Sequence, residues 1–182
     1  MKENIKLGSI LLVIAAIAGL LLGFAYEITK APIESKQKEE QALAMKQILP
    51  VADDFKKSDK NITSDSNIQS LFEGTKGGNL SGYLFTVKTS GYGGTITMMV
   101  GISTEGKVEG IKILSHTETP GLGSNAEKPK FSDQFKGKSA EKELSVGSDI
   151  QAMTGSTITS KAVTNGVNTA IKFYNSQLKG AK

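Results

Sequence analysis

An uncharged apolar run near the N-terminus limits how this 182-residue chain can fold. From Leu7 to Tyr26 the sequence reads LGSILLVIAAIAGLLLGFAY. At about 1.5 Å per residue, a helix of this length crosses a hydrocarbon core of roughly 30 Å. The apolar core of a secretory signal is shorter, typically about 7–15 residues, so a retained transmembrane helix is favoured over a signal cleaved near Gly23-Phe24-Ala25.

The remainder has the composition of one water-soluble domain, with 38% hydrophobic and 22% charged residues overall. We expect residues 1–6 to precede the transmembrane helix over 7–26. Residues 27–50 are expected to form a stalk with a short helix before Pro50, and residues 51–182 to form the domain. Lysines before and after the apolar run are nearly balanced, so their distribution does not assign the two sides of the membrane.

Several chemistries are excluded by the residue types that the chain lacks. The absence of Cys excludes disulfides, thiolate zinc sites and iron–sulfur clusters. The net charge of +4 comes from scattered lysines without a basic block, which argues against a nucleic-acid partner. His116 is the single His and has no metal-ligand pattern around it, so we predict no metal site, no catalytic residue and a structural or cofactor-edge contact for His116.

Period-two alternation predicts a three-stranded antiparallel meander in the middle of the chain. Apolar positions alternate over 83–87 and 96–102, which predicts two half-buried strands joined by the Gly-rich turn Gly91-Tyr92-Gly93-Gly94. A third strand is predicted over 108–114. The phase of its apolar positions changes across Gly110, which predicts a β-bulge.

Helices are expected to flank this sheet. Residues 129–135 predict a short helix that packs two Phe side chains on the core, and apolar residues at three- and four-residue spacing predict an amphipathic helix over 160–178. No strong element is expected over 53–82, which is polar and rich in turn residues. The predicted fold class is α+β, a twisted antiparallel sheet with flanking helices, preceded by one N-terminal transmembrane helix.

Five hydroxyl side chains stand immediately before this last helix, in the segment Met153-Thr154-Gly155-Ser156-Thr157-Ile158-Thr159-Ser160. By composition alone, such a cluster is typical of helix capping, since Ser and Thr accept hydrogen bonds from first-turn N–H groups. A functional interpretation needs further residues.

Those residues are present, and the sequence resembles the FMN-binding domain family. It is most similar to the G subunit of the Rnf ion-translocating electron-transport complex and less similar to the C subunit of the sodium-translocating NADH:quinone reductase. The segment Thr154-Gly155-Ser156-Thr157 resembles the family's flavinylation motif [ST]-G-A-T, with Ser156 in place of the commoner Ala and Gln151 where the family usually has Asp. The other matching segments are Lys30-Ala31-Pro32-Ile33, the Gly91 to Gly94 turn, the strand 108–114, HTETPGLG from His116 to Gly123 and FSDQFKGK from Phe131 to Lys138.

The resemblance implies that Thr157 carries FMN through a phosphodiester to its hydroxyl group. It implies that Thr154, Gly155 and Ser156 shape the loop, and that Glu118, Thr119 and Leu122 lie next to the isoalloxazine ring. It also implies that the N-terminus is cytoplasmic and that the domain is extracytoplasmic, on the inner membrane of the cell. The implied partners are the integral subunits of an Rnf-type complex and a flavin transferase for maturation.

The implied function is electron relay inside a membrane complex that couples ferredoxin- and NAD-type electron transfer to Na⁺ or H⁺ movement, without independent substrate turnover. A covalent link suits this role, because it replaces an affinity-limited site by a fixed local concentration of cofactor. The N-terminus of the last helix offers unpaired N–H groups to the phosphate. Lys161 in its first turn could add positive charge there, but a solvated surface Lys is the favoured interpretation. Two alternatives stay open: a stand-alone anchored flavoprotein for an extracellular acceptor, and a non-redox anchored scaffold in which Thr157 is a helix cap.

Overall fold

A computed structural model describes residues 8, 11–12, 14–24, 26, 36, 43–58, 60 and 66–180. The chain divides into two compact units, Met1–Ala42 and Leu43–Lys182. In the first unit the described residues are helical, and their large apolar side chains are exposed. Within the described part of the chain, no helix has both the length and the apolar character needed to cross a bilayer. The predicted span over 7–26 and the predicted stalk over 27–50 lie partly outside the described residues.

The second unit is built on a five-stranded antiparallel sheet whose strands follow one another in chain order. The strands are β1 (Asp54–Lys57), β2 (Ile68–Lys76), β3 (Asn79–Ser90), β4 (Thr95–Ser103) and β5 (Val108–Ser115). The predicted α+β class with an antiparallel sheet and flanking helices is confirmed. The expectation of no strong element over 53–82 was wrong, because β1, β2 and the start of β3 lie there.

Two of the strands, β2 and β5, pair irregularly with their neighbours. The register of β2 against β3 shifts between Ile68 and Ser70 and again between Gly74 and Thr75, which breaks the alternation that identifies a strand. In β5 the predicted bulge is confirmed. Gly101 of β4 pairs with Gly110 and Ile102 pairs with Val108, so that β5 carries one extra residue between these two pairs.

A C-terminal helix covers one face of the sheet. It runs over Thr157–Phe173 and continues as a π-helical turn over Tyr174–Leu178. Its apolar side chains join the main core, where Phe173 packs edge-on against Phe85 of β3 with ring centroids 6.1 Å apart. The helix starts three residues before the predicted position, because the hydroxyl-rich segment supplies its first turn rather than only its cap.

The predicted short helix near residue 130 is confirmed, as an α-helical turn over Pro129–Ser132 followed by a 3-10 turn over Asp133–Phe135. Phe131 and Phe135 are buried and pack edge to face, with ring centroids 5.6 Å apart. A further 3-10 turn over Gly123–Glu127 lies just before it.

A helix over residues 43–48 covers the opposite face, where it forms a second core with Leu84 of β3 and Met99 of β4. A Cβ on Gly101 would lie 2.9 Å from the carbonyl oxygen of Ile48, so this helix approaches β4 at backbone distance. The middle of β3 and β4 is therefore buried on both faces. The prediction of half-buried strands was wrong there.

Candidate functional site

A cleft of about 470 Å³ lies where the C-terminal helix begins, between its first turn and two loops at one end of the sheet. Its walls come from three separated segments: the β3–β4 turn, the loop that follows β5 and the first turn of the C-terminal helix. The lining residues are Tyr92, Glu118, Thr119, Leu122, Gly123, Gly155, Ser156, Thr157, Ile158 and Thr159. The volume is within the range of roughly 300–1,000 Å³ that is typical of small-molecule sites.

Six of the seven site residues named from the sequence line this cleft: Glu118, Thr119, Leu122, Gly155, Ser156 and Thr157. Thr157 is the first residue of the helix and is exposed, and Gly155 has a φ of +73°, which favours Gly. Thr154, the seventh, lies instead in a neighbouring cleft of about 370 Å³ together with Gln151, Phe131 and Lys128.

Glu118 is a buried carboxylate that joins the three walls. Its Oε1 accepts a hydrogen bond from the backbone N–H of Gly93 at 3.0 Å, and its Oε2 accepts one from the hydroxyl of Thr159 at 2.6 Å. Glycines surround it, since a Cβ on Gly91 or on Gly123 would overlap a carboxylate oxygen of Glu118. This close packing fixes the carboxylate at the inner wall of the cleft.

His116 holds the backbone of the same loop. Its Nδ1 accepts a hydrogen bond from the backbone N–H of Glu118 at 3.1 Å, and its Nε2 lies 3.1 Å from a carboxylate oxygen of Glu127. His116 is not among the residues that line the cleft. Its contacts are those of a structural residue that orients the Glu118 backbone, and no three His, Asp or Glu side chains form a metal-binding group in the described part of the chain.

The hydroxyl groups of the first helical turn have different partners. Thr159 donates to Glu118, and Ser160 donates to the carbonyl oxygen of Ser156 at 2.9 Å while it accepts from the N–H of Met153 at 3.0 Å. Thr157 is exposed at the cleft and makes no hydrogen bond with its side chain to the described residues. The cluster thus consists of structural hydroxyls at 159 and 160 and an available one at 157.

Ser156 is the N-cap residue, but its hydroxyl does not cap the helix. Its φ and ψ are −139° and 43°, and no side-chain capping hydrogen bond forms. The residue is buried, at 6% relative exposure, and its Oγ has no hydrogen-bond partner among the described residues. A buried hydroxyl without a partner costs about 1–3 kcal/mol. Since Thr157 follows the N-cap position, the alternative in which Thr157 itself is the helix cap does not fit this geometry.

The backbone N–H groups at the start of the helix also lack protein acceptors. The N–H groups of Thr157, Ile158 and Thr159 cannot bond within the helix, and none donates to another described residue. The first N–H to be satisfied inside the helix is that of Ser160, which donates to the carbonyl of Ser156 at 3.0 Å. Together with the positive end of the helix dipole, these groups have the chemistry to bind an anion next to the Thr157 hydroxyl.

Three apolar side chains project from the rim of the cleft. Tyr92, Leu122 and Ile158 are 71%, 46% and 56% exposed, respectively. Tyr92 is nevertheless held on a fixed turn, because the N–H of Gly91 donates to the carbonyl of Gly94 at 2.7 Å and the hydroxyl of Thr117 donates to the carbonyl of Gly93 at 2.9 Å. Such a rim suits a flat aromatic ligand.

Four of the lining residues were not predicted from the sequence: Tyr92, Gly123, Ile158 and Thr159. Tyr92 and Gly123 lie inside segments that carried the family resemblance, which was the signal available for them. Ile158 and Thr159 point to opposite environments, one exposed and one buried, and only the helix register separates them. Gln134 was also missed: its side-chain amide bonds the backbone N–H and C=O of Gln151, at 2.8 and 3.3 Å, and so fixes the loop before Thr154.

The residues present fit FMN. The exposed Thr157 hydroxyl and the unpaired N–H groups suit a phosphate, the buried Ser156 hydroxyl is available as a further donor, and the apolar rim suits the ring. The cofactor, when bound, supplies the redox chemistry. The residues of the cleft supply position and electrostatic environment.

The stretch of chain that contains the cleft matches a known protein family. The FMN-binding domain family matches residues 91–172, which contain the whole cleft. The chain is 40% identical to the G subunit of the Na(+)-translocating ferredoxin:NAD(+) oxidoreductase complex of Acetobacterium woodii, over 95% of this chain and 92% of that protein. It is 38% identical to the G subunit of the proton-translocating ferredoxin:NAD(+) oxidoreductase complex of Clostridium ljungdahlii, over 86% and 83% of the two chains.

The chain therefore belongs to the family of G subunits of ion-translocating oxidoreductase complexes and contains an FMN-binding domain. A solved structure shows the same fold. The C subunit of the Na(+)-translocating NADH-quinone reductase of Parabacteroides distasonis superposes with a TM-score of 0.53 at 21% identity, over 70% of this chain and 74% of that one.

Proposed function

We propose that this chain is the electron-carrier subunit of an Rnf-type membrane complex and carries FMN covalently on Thr157. The complex would couple electron transfer between ferredoxin- and NAD-type carriers to the movement of Na⁺ or H⁺, as the names of its relatives state for those proteins. The observation that carries the attachment site is the position of Thr157, an exposed hydroxyl on the first residue of a 17-residue helix at the mouth of the cleft.

The local geometry supports attachment at Thr157 over the neighbouring hydroxyl groups. Thr159 and Ser160 are buried, and their hydroxyls are hydrogen-bonded within the protein. Thr154 lines the neighbouring cleft, away from the apolar rim. Among the hydroxyls of this segment, only that of Thr157 combines solvent access with the apolar rim and the unpaired N–H groups. A phosphodiester there keeps one negative charge, which the helix dipole stabilises by about 0.3–1 kcal/mol.

The ring of the cofactor is proposed to lie against the apolar rim, with Glu118 and Thr119 at its polar edge. Tyr92, Leu122 and Ile158 are exposed apolar side chains on three different segments, and contact with an aromatic ring removes their surface from water. A shallow site leaves one edge of the ring open. An open edge suits a carrier that exchanges electrons with a neighbouring subunit.

The proposed topology is a single transmembrane helix over 7–26, with residues 1–6 in the cytoplasm, a stalk over 27–50 and the FMN-binding domain over 51–182 outside the cytoplasm. The uncharged apolar run and the exposed apolar side chains of the described helical residues 11–12 and 14–24 support this proposal. The proposed partners are the integral subunits of the complex, together with a flavin transferase that modifies Thr157.

The test is intact mass and visible absorbance of the full-length chain produced in a host shown to flavinylate a related domain. Wild type is expected to be yellow and to carry the mass of FMN less one water on the Thr157 peptide. Thr157→Ala is expected to lose both, whereas Thr169→Ala, a partly exposed Thr later in the same helix, retains both. A colourless, unmodified wild type would refute the covalent-carrier proposal and favour a non-redox anchored domain.

A further inference from the structure

The Ser156 hydroxyl is unusual among the hydroxyl groups of this segment because it has neither a protein partner nor exposure to solvent. Its Oγ is buried and without a hydrogen bond, and its residue is 6% exposed. The backbone of Ser156 is fully engaged. Its N–H donates to the carbonyl of Met153 at 3.0 Å, and its carbonyl accepts from the N–H and from the hydroxyl of Ser160. The residue is therefore fixed in place while its donor remains unused.

The usual function of a Ser at this position is absent. An N-cap Ser accepts a hydrogen bond from the N–H of the second or third helical residue, and no such bond forms here. The unused hydroxyl and the unused N–H groups of Thr157, Ile158 and Thr159 thus lie at the same end of the helix. All four residues line the cleft, and none of these four donors has an acceptor among the described residues.

A group of unpaired donors at a helix N-terminus is satisfied by an anion that presents more than one oxygen. The phosphodiester proposed on Thr157 has two non-bridging oxygens and one negative charge, and it is attached to the residue adjacent to Ser156. Rotation of the Ser156 side chain among its staggered χ1 positions redirects the hydroxyl without movement of the backbone.

We infer that the Ser156 hydroxyl donates a hydrogen bond to a non-bridging oxygen of the phosphodiester that links FMN to Thr157. This inference rests on the covalent attachment proposed above and assigns to Ser156 a positioning role, because it fixes the phosphate and, through it, the start of the flavin chain. The donor compensates at this point for the absence of Arg in the sequence.

The test compares Ser156→Ala with Ser160→Ala, both in the full-length chain in detergent and each in its flavinylated and unflavinylated forms. Ser160 is the matched control, since it is a buried Ser in the same turn whose hydroxyl bonds only to protein groups. The measurements are the melting temperature of each form and the ³¹P resonance of the phosphodiester.

Ser156→Ala is expected to leave the melting temperature of the unflavinylated form unchanged or raised, because no hydrogen bond is lost there. The rise in melting temperature on flavinylation is expected to be smaller than in wild type by about 2–4 °C, and the ³¹P resonance is expected to shift. Ser160→Ala is expected to lower the melting temperature of both forms equally, with an unchanged ³¹P resonance.

A Ser156→Ala protein that is flavinylated, has the wild-type gain in melting temperature and has the wild-type ³¹P resonance would overturn the inference while leaving the attachment to Thr157 intact. A wild-type chain that carries no FMN by mass would overturn the attachment itself, and the inference with it. The mass of the protein distinguishes the two failures.

Discussion

Thr159 donates a 2.6 Å hydrogen bond to Oε2 of Glu118, and this contact joins residues 41 positions apart in the chain. The other carboxylate oxygen accepts from Gly93, so that a single buried side chain connects the C-terminal helix, the loop after β5 and the β3–β4 turn. The three walls of the cleft are thus held by one carboxylate.

Replacement of Thr159 by Val keeps the side-chain shape and removes the donor to Glu118. Because Oε2 of Glu118 is then buried without this partner, we expect a loss of about 1–3 kcal/mol in the free energy of unfolding. Thr169→Val, at a partly exposed position of the same helix, is expected to change it by less than about 0.5 kcal/mol. Urea unfolding of the full-length proteins in detergent checks both, and equal effects of the two substitutions would contradict the role of the contact.

Tyr92→Phe tests whether the cofactor ring lies against the rim of the cleft. A phenol in contact with a flavin quenches its fluorescence by electron transfer, and a phenyl ring of the same shape does not. We expect a several-fold rise in flavin fluorescence and lifetime in the flavinylated Tyr92→Phe protein. Tyr83→Phe is the control, since Tyr83 is buried in the main core and does not line the cleft. An unchanged lifetime in Tyr92→Phe would show that the ring lies elsewhere.

Leu43, the first residue of the short helix over 43–48, and Leu49, which follows its last residue, differ in burial. Leu49 is fully buried against the second face of the sheet and Leu43 is exposed. We expect Leu49→Ala to cost about 2–5 kcal/mol through the cavity it leaves. Leu43→Ala is expected to be neutral within about 0.5 kcal/mol. Thermal unfolding of the two variants measures the difference, and a small effect of Leu49→Ala would mean that this helix contributes little to the stability of the domain.

The raised pKa of Tyr174 leads us to expect a loss of stability at alkaline pH. Burial, and to a smaller extent the nearby Tyr83, raises the pKa of Tyr174 above its usual value of 10.0, and its hydroxyl donates to the carbonyl of Thr104 at 3.2 Å. Because the folded state holds this proton more tightly than the unfolded state, the stabilisation is complete below pH 10 and is lost as the pH rises through the folded-state pKa.

Tyr174→Phe is expected to cost about 0.5–1.5 kcal/mol at pH 7 and to remove this part of the alkaline dependence. The measurement is the free energy of unfolding of both proteins from pH 7 to pH 11. The difference between wild type and variant should shrink above pH 10. Parallel curves over the whole range would contradict the raised pKa.

The sequence predicted the elements whose apolar residues recur at a regular spacing. It did not predict the strand in which that spacing is interrupted, or the residues that are buried by a helix packed on the second face of the sheet. Alternation identified β3, β4 and the bulged β5, and the stripe from Val163 to Leu178 identified the C-terminal helix. It did not reveal β2, whose two register shifts interrupt the pattern, or the burial of Leu84 and Met99, which depends on a helix from another part of the chain. The spacing of apolar residues shows which face of an element is buried, but it does not show whether a second element covers the other face.

The candidate site was likewise predicted only in part. The hydroxyl cluster and the resemblance named six of the ten residues that line the cleft, but the sequence could not distinguish a hydrogen-bonded hydroxyl from an unpaired one. Ser156 and Ser160 have the same side chain and are both buried, yet only Ser160 has partners. The difference lies in what surrounds each hydroxyl: that of Ser160 meets the N–H of Met153 and the carbonyl of Ser156, groups that only the folded chain brings to it.

The order of the strands also has a consequence for biosynthesis. A sheet whose strands pair only with their neighbours in the sequence can assemble progressively as the polypeptide emerges N-terminus first. The cleft cannot form in this progressive way, because its third wall belongs to a helix that follows all five strands in the chain. A modifying enzyme that recognises the shape of the cleft must therefore act after the helix over Thr157–Phe173 has been made. An enzyme that recognises only the linear tetrapeptide from Thr154 to Thr157 could act before the C-terminal helix has folded onto the sheet.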